Sequence, residues 1–284
     1  MHSKNNITAI IVLYNVTNTI FHCLKNLTNI KIIIADNGDN DIEIIKKIKK
    51  QKNIIRYFKF KKNIGFGRAC NFCFNYVETK FCLLIEPDVF ISDKNIRNLH
   101  EGFGTYPDAG ILVPTLINKS NEIIDKLDNL PEFQNLERNN KSKNYFKGDV
   151  CVNFCWAAIM LINVDIIKKI GLFNKKIFIF WEDFDLCRKL RKHKIPIIKI
   201  FNSKAIHLEG KSTKRNLKTN LIIYKHHILS SYIYFNVKKN DKFLIKKLFI
   251  YIFRIFSYLF IFNFQKSVKN FARLCAVYTY IKKK

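Results

Sequence analysis

Three carboxylates, those of Glu182, Asp183 and Asp185, lie within the run FIFWEDFDLC, residues 178–187, which is otherwise almost entirely apolar and aromatic. Burying a carboxylate is costly unless it is paired, bound to a metal or protonated. Negative charge is also scarce, since the chain has 50 Lys and Arg against 22 Asp and Glu. The run is therefore a candidate functional site, although pairing with Arg188 is an ordinary structural explanation for Asp185.

A second acidic group, Glu86-Pro87-Asp88, ends an apolar, strand-like run. Two carboxylates one residue apart can face a common site if the strand breaks at the proline. Their oxygens suit Mg²⁺ or Mn²⁺, which would also hold substrate phosphates. The alternative is a pair of solvated loop acids ahead of a helix capped by Ser92. His207 follows another strand-like run and is a plausible further ligand, although a lone histidine there is more often structural.

Other polar residues follow the predicted strands, at the sheet edge where open α/β proteins bind their ligands. Gly65 and Gly67 open a helix and, together with Arg68, could approach a diphosphate closely. The third glycine of a dinucleotide fingerprint is missing, and an Asp after a strand is often only a turn former. The candidate positions are Tyr14, Asn15, Asp36, Asn63, Arg68 and Asn71.

Strand-like and helical patterns alternate from residue 7 onward, which predicts an α/β fold with a doubly wound, mostly parallel sheet. The β-branched run at 7–13 is typical of a strand buried on both faces. The polar stretch 118–148 is long enough to be a lid or a binding loop. Strands are predicted in ITAIIVL, KIIIADNG, IIRYFKF, FCLLIEPDV, ILVPTL and NFCWAAIMLI, and helices at 17–27, 42–50, 93–103 and just before Gly171.

Eight cysteines include the pairs Cys70-x2-Cys73 and Cys151-x3-Cys155, whose spacing is compatible with a four-sulfur zinc site. Both pairs lie in apolar runs, so we expect reduced thiols packed in the core instead. The N-terminal sequence is too polar, and too quickly strand-like, for a secretory signal. These features predict an intracellular, cytoplasmic protein.

The formal net charge of +28 indicates an anionic partner, such as nucleic acid, a phosphorylated substrate or an acidic membrane surface. A composition rich in Lys, Asn, Ile and Phe, typical of AT-rich coding, explains part of this charge. The excess is greatest near the C-terminus, since residues 211–284 carry 17 Lys and Arg and a single acid, Asp241. We predict an α/β domain at 1–215 and a basic, amphipathic helical region at 216–284.

The basic region contains LFIYIFRIFSYLFIF, a mainly apolar run at 248–262 that is interrupted by Arg254. Spanning a bilayer needs about 20 apolar residues, so a transmembrane helix is not expected. The flanking lysine pairs favour an interfacial helix on anionic lipid, which would make the protein peripheral to the membrane. A helix packed against the α/β domain is the alternative.

Six motifs occur in order, namely IIVLYN, ADNGDND, NIGFGRACN, LLIEPDV, FIFWEDFDLCRKL and HLEGKS. Together they closely resemble the family 2 glycosyltransferases, and particularly their rhamnosyltransferase-like branch, over residues 7–215. The resemblance implies the GT-A fold, a UDP- or dTDP-linked sugar donor, a divalent cation (Mn²⁺ or Mg²⁺) and inversion at the anomeric carbon. It also implies transfer to a hydroxyl of a glycan or lipid-linked acceptor in the synthesis of a surface polysaccharide such as lipopolysaccharide or capsule.

The resemblance further implies a role for each candidate residue. An Asp that acts as general base needs a raised pKa, which partial desolvation beside Trp181 and Phe184 would supply. The implied roles are nucleoside contact for Tyr14 and Asp36, donor-pocket contact for Asn63, Arg68 and Asn71, and metal or diphosphate binding for Glu86, Asp88 and His207. Asp183 and Glu182 are the implied catalytic residues, with Asp183 as the general base, and Trp181 would stack on the acceptor.

Two departures from the family pattern leave alternatives open. Glu86 stands where the branch has Asn or Asp, and Asn174-Lys175 stands where an acidic pair usually follows Gly-x-Phe. A catalytically degenerate glycosyltransferase-like subunit is therefore one alternative. A nucleotidyltransferase would use paired carboxylates but would not explain the tryptophan-acid motif. A basic nucleic-acid-binding protein would explain the charge but would not require acids clustered at strand ends.

Overall fold

The computed structural model describes residues 6–38, 40–125, 130–131 and 147–282, so most of the predicted loop at 118–148 lies outside the described residues. The chain forms two compact units. The first comprises Met1–Asn174 and Asp183–Thr213, and the second comprises Lys175–Glu182 and Lys214–Lys284. The short segment that precedes Asp183 thus groups with the C-terminal helices, which the sequence did not predict.

One sheet organises the first unit. Its strands within the described residues are β1 (Ile7–Leu13), β2 (Lys31–Asp36), β3 (Ile54–Lys59), β4 (Phe81–Ile85), β5 (Val89–Ile91), β6 (Ile111–Ile117), β7 (Val150–Val152), β8 (Ile159–Asn163) and β9 (Ile197–His207). They are ordered β3-β2-β1-β4-β8-β6-β9-β5, with β7 paired to β9.

The pairing confirms the predicted α/β fold with a central, mostly parallel sheet. Strands β3, β2, β1 and β4 run parallel to one another, and β6 runs parallel to β9. Strand β8 lies antiparallel between β4 and β6, and β5 and β7 pair antiparallel with β9. The carboxyl ends of β1, β2 and β4 therefore share one edge, where the candidate site residues follow them.

Helices cover both faces of the sheet. They are α1 (Thr19–Lys25), α2 (Ile42–Lys49), α3 (Phe66–Phe74), α4 (Asp93–Thr105), α5 (Val164–Ile170) and α6 (Glu182–Lys192). Ser92 caps α4 by accepting from the Asn95 amide, as predicted, and Gly171 ends α5 in a left-handed conformation at φ 89°.

Strand β1 is buried on both faces, as its β-branched sequence predicts. Ile7, Ala9 and Ile11 pack with α1, α2 and α4, whereas Ile10 packs on the opposite face with α3, α5 and α6. A strand enclosed in this way has no solvated side, which is why its sequence shows no polar alternation.

Two strand predictions need correction. The run NFCWAAIMLI forms a strand only over Ile159–Asn163, because β8 enters the sheet antiparallel at that point and the preceding residues form a loop. The run FCLLIEPDV is divided into β4 and β5 by a turn at Pro87-Asp88, and β5 pairs with β9.

The described cysteines are free thiols, and the candidate zinc pairs do not form a shared cluster among the described residues. Cys70 and Cys73 are buried in the core on the α3 side of the sheet, and Cys151 is exposed. Cys155 is also buried, with its Sγ 3.8 Å from the Sγ of Cys187. Core packing therefore accounts for most of these residues.

The second unit contains three long helices, α7 (Leu217–Tyr234), α8 (Lys242–Phe260) and α9 (Phe264–Lys282). Leu229, Leu244 and Ala276, one from each helix, belong to its small core. The Tyr280 hydroxyl donates to the Val237 carbonyl at 2.7 Å and ties α9 to the α7–α8 turn. Within the described residues, none of the helices is both long enough and apolar enough to cross a bilayer.

Candidate active site

Glu86, Asp88 and His207 come together at the carboxyl-terminal edge of β4. The turn after β4 carries both acids, and β5 then pairs antiparallel with the end of β9, so that Val89 lies opposite His207. The His207 Nε2 atom is 3.6 Å from Glu86 Oε2 and 3.8 Å from Asp88 Oδ1. One ligand atom from each residue lies within 4.8 Å of the others.

Asp88 is completely buried and is held by main-chain donors. Its Oδ2 atom accepts hydrogen bonds of 2.9 Å from the amides of Lys211 and Ser212. Its Oδ1 atom is buried and has no hydrogen-bond partner among the described residues. Burial, followed by the charge of Glu86, raises the pKa of Asp88. A buried carboxylate oxygen with an open lone pair beside two further ligands is an arrangement that fits a divalent cation.

His207 is buried beside these acids. Burial lowers the pKa of His207, but the hydrogen bond and charge of Glu86 and the charge of Asp88 outweigh this effect and raise it. An imidazole facing two carboxylates is a nitrogen ligand added to a hard oxygen set, which Mn²⁺ accepts readily. The three residues therefore fit the divalent cation that the sequence predicted.

Asp183 lies in the first turn of α6, where its Oδ1 atom accepts a 2.8 Å hydrogen bond from the Phe184 amide. Phe184 stacks on Phe154 with ring centroids 4.1 Å apart, which places an apolar wall next to the carboxylate. The pKa of Asp183 is raised to about 6. Desolvation and, to a lesser extent, the charge of Glu86 raise it, and hydrogen bonds from backbone amides oppose the change. At neutral pH the carboxylate is therefore mostly ionised, and it accepts a proton more readily than an ordinary aspartate does.

The neighbours of Asp183 have different surroundings. Asp185 is buried and pairs with Arg188 at 3.0 Å and Lys189 at 3.4 Å, as the structural explanation predicted. Asn174, at one of the departures from the family pattern, donates to Asp185 Oδ1 at 3.4 Å. An acid at position 174 would instead bring a like charge to Asp185, so the amide suits this local network.

The residues before α6 are strained and aromatic. Phe180 and Trp181 both adopt left-handed backbone conformations, at φ 63° and φ 68°. Such conformations cost about 1–3 kcal/mol each for residues other than glycine. The Trp181 indole donates to the His227 carbonyl at 3.1 Å, and its ring packs against Tyr234 within the second unit. Glu182, the first residue of α6, is buried.

Asp36 ends β2 in a dense hydrogen-bond network. Its carboxylate accepts from the Tyr57 hydroxyl, the Asn40 amide and, at 3.1 Å, the Gly38 backbone N–H. Desolvation and the hydrogen bond to Asp36 raise the pKa of Tyr57 well above its usual value, so the phenol remains protonated. The network holds the Asp36 carboxylate in one orientation at the end of β2.

The loop after β3 is fixed by two asparagines. Asn37 donates to Asn63 Oδ1 and accepts from the Ile64 amide, both at 2.9 Å. Asn63 Oδ1 also accepts from the Gly65 amide, just before α3 begins. Arg68 is exposed in the first turn of α3. The loop thus presents a helix N-terminus and a cation at the same edge as the end of β2.

Asn71 and Tyr14 are placed differently from the other candidates. The Asn71 side chain is buried and makes two bonds to the Phe173 backbone, donating at 2.8 Å and accepting at 3.0 Å. Its amide therefore holds the turn after α5. Tyr14 follows β1, and its carbonyl accepts from the Thr213 hydroxyl at 3.1 Å, which ties the end of the first unit to the β1 loop.

Sequence reasoning missed several residues that support this site. Tyr57 lies inside a strand, and its hydroxyl contact with Asp36 has no local sequence signal. Asn37 and Asn40 lie within the ADNGDND motif, but Asn and Asp are common in turns, so the motif alone does not indicate a supporting role. The amides of Lys211 and Ser212 act through their backbone, so no side-chain pattern could identify them.

Comparisons with known proteins bear on the family and the fold of the chain. The glycosyl transferase family 2 model matches residues 8–171, and no curated protein sequence matches significantly. Among solved structures, GalNAc-T7 with UDP, GalNAc and Mn²⁺ aligns at a TM-score of 0.58 and 12% identity, covering 79% of this chain and 47% of that one. TarS from S. aureus aligns at 0.55 and 13%, covering 77% and 39%.

The mannosyltransferase PcManGT from Pyrobaculum calidifontis, in complex with GDP-Man and Mn²⁺, aligns at a TM-score of 0.54 and 12% identity, covering 96% of this chain and 75% of that one. The chain spans about half of the length of GalNAc-T7 and less than half of TarS. At these sequence identities the likeness concerns the fold alone. The family match covers more than half of the chain, including Asp36, Glu86 and Asp88. The chain belongs to glycosyl transferase family 2.

Proposed function

We propose that this protein is an inverting glycosyltransferase that moves a sugar from a UDP- or dTDP-linked donor, rhamnose-like sugars included, to a hydroxyl of a glycan or glycolipid. The observation that carries the proposal is the Glu86–Asp88–His207 cluster, whose Glu86 charge contributes to the raised pKa of Asp183. Asp183, with a pKa of about 6, would serve as the base, and the three clustered residues could hold the cation. Two proteins of similar fold were solved with nucleotide ligands and Mn²⁺, namely GalNAc-T7 with UDP and PcManGT with GDP-Man. This supports a nucleotide-sugar donor.

In the proposed reaction, Asp183 accepts the proton of the acceptor hydroxyl while the acceptor oxygen forms a bond to the anomeric carbon. The bond between that carbon and the donor diphosphate breaks, and the nucleoside diphosphate leaves with the electron pair. Attack opposite to the leaving group inverts the anomeric centre. The raised pKa of Asp183 makes this proton transfer more favourable than an ordinary aspartate would.

Glu86, Asp88 and His207 would hold Mn²⁺ or Mg²⁺, which would neutralise the charge of the diphosphate. Arg68 adds a positive side chain beside the N-terminus of α3, where anions are favoured. On the nucleoside side, Tyr14 and the fixed carboxylate of Asp36 would contact the base and ribose. Asn63, which is held by its hydrogen bond with Asn37, would contact the donor. Asn71 contributes indirectly, by holding the Phe173 turn.

The acceptor side of the proposal rests on the segment before α6. Trp181 lies in this segment, and we assign it to acceptor contact. Glu182, the first residue of α6, is assigned to catalysis beside Asp183. A lipid-linked acceptor, used in the synthesis of a surface polysaccharide, fits a protein that works peripherally at the inner face of the cell membrane. The high positive charge of the C-terminal region supports this placement.

Thermal stabilisation by nucleotides tests the donor site directly. The melting temperature is measured with UDP, dTDP, GDP and CDP, each with and without Mn²⁺, because a bound ligand stabilises the folded state by RT ln(1 + [L]/Kd). We expect a shift for one nucleotide that requires the metal and is lost in Asp88→Asn. Asp108→Asn, at an exposed turn, is the matched control and should keep the shift.

Transfer or hydrolysis of the matching sugar nucleotide then tests the reaction. Metal-dependent nucleotide binding without any turnover, in the presence of varied acceptors, would favour the catalytically degenerate subunit. Failure of every nucleotide to shift the melting temperature would contradict the donor site itself. Inversion is checked separately, by the anomeric configuration of the product.

A further inference from the structure

Helix α8 exposes an apolar face that the second unit does not cover. Its residues recur at spacings of three and four, so they form one stripe along the helix. Phe253 is 73% exposed and Phe260 is 85% exposed. We call this stripe the apolar face of α8, and its members are Ile245, Phe249, Ile252, Phe253, Phe256 and Phe260.

A separate face of α8 accounts for the packing of the helix inside its unit. Leu244 and Tyr251 are buried there with residues of α7 and α9. The helix is therefore apolar on its packed side and also on its exposed side. A helix apolar on both sides normally belongs inside a protein core or against a membrane. Scattered exposed apolar residues are ordinary, but a continuous stripe of this kind marks an interaction surface.

The turn between α8 and α9 extends the apolar face. Ile261, Phe262 and Phe264 are all exposed, and Phe262 reaches 81%. Hydrogen bonds fix this turn, since the Asn263 amide donates to the Tyr258 carbonyl at 2.8 Å and Asn263 Oδ1 accepts from the Lys266 amide at 3.1 Å. The exposed rings are thus held in place by a well-capped turn.

Exposed cations predominate on α8 and the turn after it, and the exposed acid Asp241 lies at the N-terminal end of the helix. Lys242, Lys246 and Arg254 are exposed on α8, and Lys266 is exposed at the start of α9. Asp241, the N-cap of α8, is the single acid between residues 211 and 284. An apolar stripe on a helix that also exposes cations complements a bilayer with anionic headgroups, whose acyl boundary accepts the rings while its phosphates attract the Lys and Arg side chains.

We infer that the apolar face of α8, together with the α8–α9 turn, is a docking site for an anionic lipid bilayer, in which the helix lies along the interface and does not span it. Two features agree with a helix lying in the plane. Arg254 interrupts the apolar sequence midway, and no helix among the described residues is apolar over a membrane-spanning length. The inference does not depend on the proposed catalytic activity.

Flotation of the full-length protein with vesicles tests the inference. We expect binding to phosphatidylcholine vesicles containing phosphatidylglycerol, and much weaker binding to phosphatidylcholine alone. The triple variant Phe253→Ser, Phe256→Ser, Phe260→Ser should lower the partition coefficient at least about 100-fold, since each phenylalanine that leaves water contributes roughly a factor of ten. The matched control replaces three exposed apolar residues of the first unit with Ser, namely Ile42, Ile55 and Phe201.

Charge reversal provides the second arm. Lys246→Glu with Arg254→Glu should weaken binding to anionic vesicles, and Lys94→Glu with Lys192→Glu, on exposed helix positions of the first unit, should not. A Phe256→Trp variant should show a blue-shifted emission that brominated lipids quench, which reports insertion without deleting any apolar side chain. Circular dichroism checks that each variant is folded.

Three outcomes would overturn the inference. Equal binding to neutral and anionic vesicles would remove the role of the cations. Vesicle binding that survives the triple serine variant would remove the role of the apolar face. A concentration-dependent dimer that the triple variant abolishes, without any vesicle binding, would show that a second copy of the chain covers this face.

Discussion

His207 Nε2 lies 3.8 Å from Asp88 Oδ1, although the histidine ends β9 and the carboxylate lies between β4 and β5. The antiparallel pairing of β5 with β9 creates this contact, since it sets Val89 opposite His207. The Asp88 carboxylate is then fixed by the Lys211 and Ser212 amides, which follow the histidine in the chain. One strand pairing thus positions two of the three proposed ligands.

Replacing His207 by Ala should weaken Mn²⁺ binding to the protein. Loss of even an outer hydrogen-bond partner lowers metal affinity about 10- to 100-fold, so loss of a direct ligand should cost at least about tenfold. Calorimetric titration with Mn²⁺ measures the affinity, and His193→Ala, an exposed histidine after α6, is the control. Equal affinity in the His207→Ala protein would exclude this residue from the metal site.

The transfer rate should decline as the pH falls through about 6. Asp183 must be ionised to accept a proton, and burial raises its pKa to about 6. The plot of log(kcat/KM) against pH should therefore rise with unit slope below about 6 and level off above it. Asp183→Asn should lose about 10²- to 10⁴-fold in kcat, whereas Asp165→Asn, at an exposed position in α5, should keep both the rate and the profile. A flat profile between pH 5 and 8 would contradict the assignment of Asp183 as the base.

Asp183→Asn should also stabilise the protein at alkaline pH. The pKa of Asp183 is raised from 3.8 to about 6, so the folded protein binds the proton more tightly than the unfolded chain does. The resulting stability is fully present below about pH 4 and is lost as the pH rises through about 6. At pH 8 the variant avoids an ionised, partly buried carboxylate, and we expect a gain of up to about 3 kcal/mol in the free energy of unfolding.

This gain is measured by denaturation of the wild type and of Asp183→Asn at pH 4, 6 and 8. The difference between the two proteins should grow with pH, because only the wild type changes its charge at this position. A difference that stays constant with pH would show that the substitution acts through packing, and that the ionisation of Asp183 does not affect the free energy of unfolding.

The sequence predicted the parallel half of the sheet well, because strands such as β1 are short apolar runs enclosed on both faces. It predicted the antiparallel half poorly. Nothing in NFCWAAIMLI distinguishes the loop at 153–158 from β8, since both parts are apolar and only the pairing with β4 separates them. The predicted lid at 118–148 lies mostly outside the described residues.

For the candidate site, sequence patterns located the acids but not their supports. Glu86, Asp88 and Asp183 stand out because carboxylates are rare in apolar runs. The resemblance assigns Asn71 to the donor pocket, but no sequence pattern predicted that its amide bonds on both sides to the Phe173 backbone, a contact between positions distant in sequence. Tertiary contacts of this kind depend on how α3 packs against the turn after α5, which no local pattern encodes.

The same packing predicts opposite effects for two helical glycines. A Cβ added at Gly67 in α3 would lie 2.9 Å from the Phe173 Cβ, whereas a Cβ at Gly104 in α4 would meet no atom within 4 Å. Gly67→Ala should therefore destabilise the protein by about 1–3 kcal/mol through overpacking. Gly104→Ala should stabilise it by about 0.4–1 kcal/mol, because alanine reduces the freedom of the unfolded chain. Urea denaturation measures both changes, and equal effects of the two substitutions would contradict the close packing of α3 on Phe173.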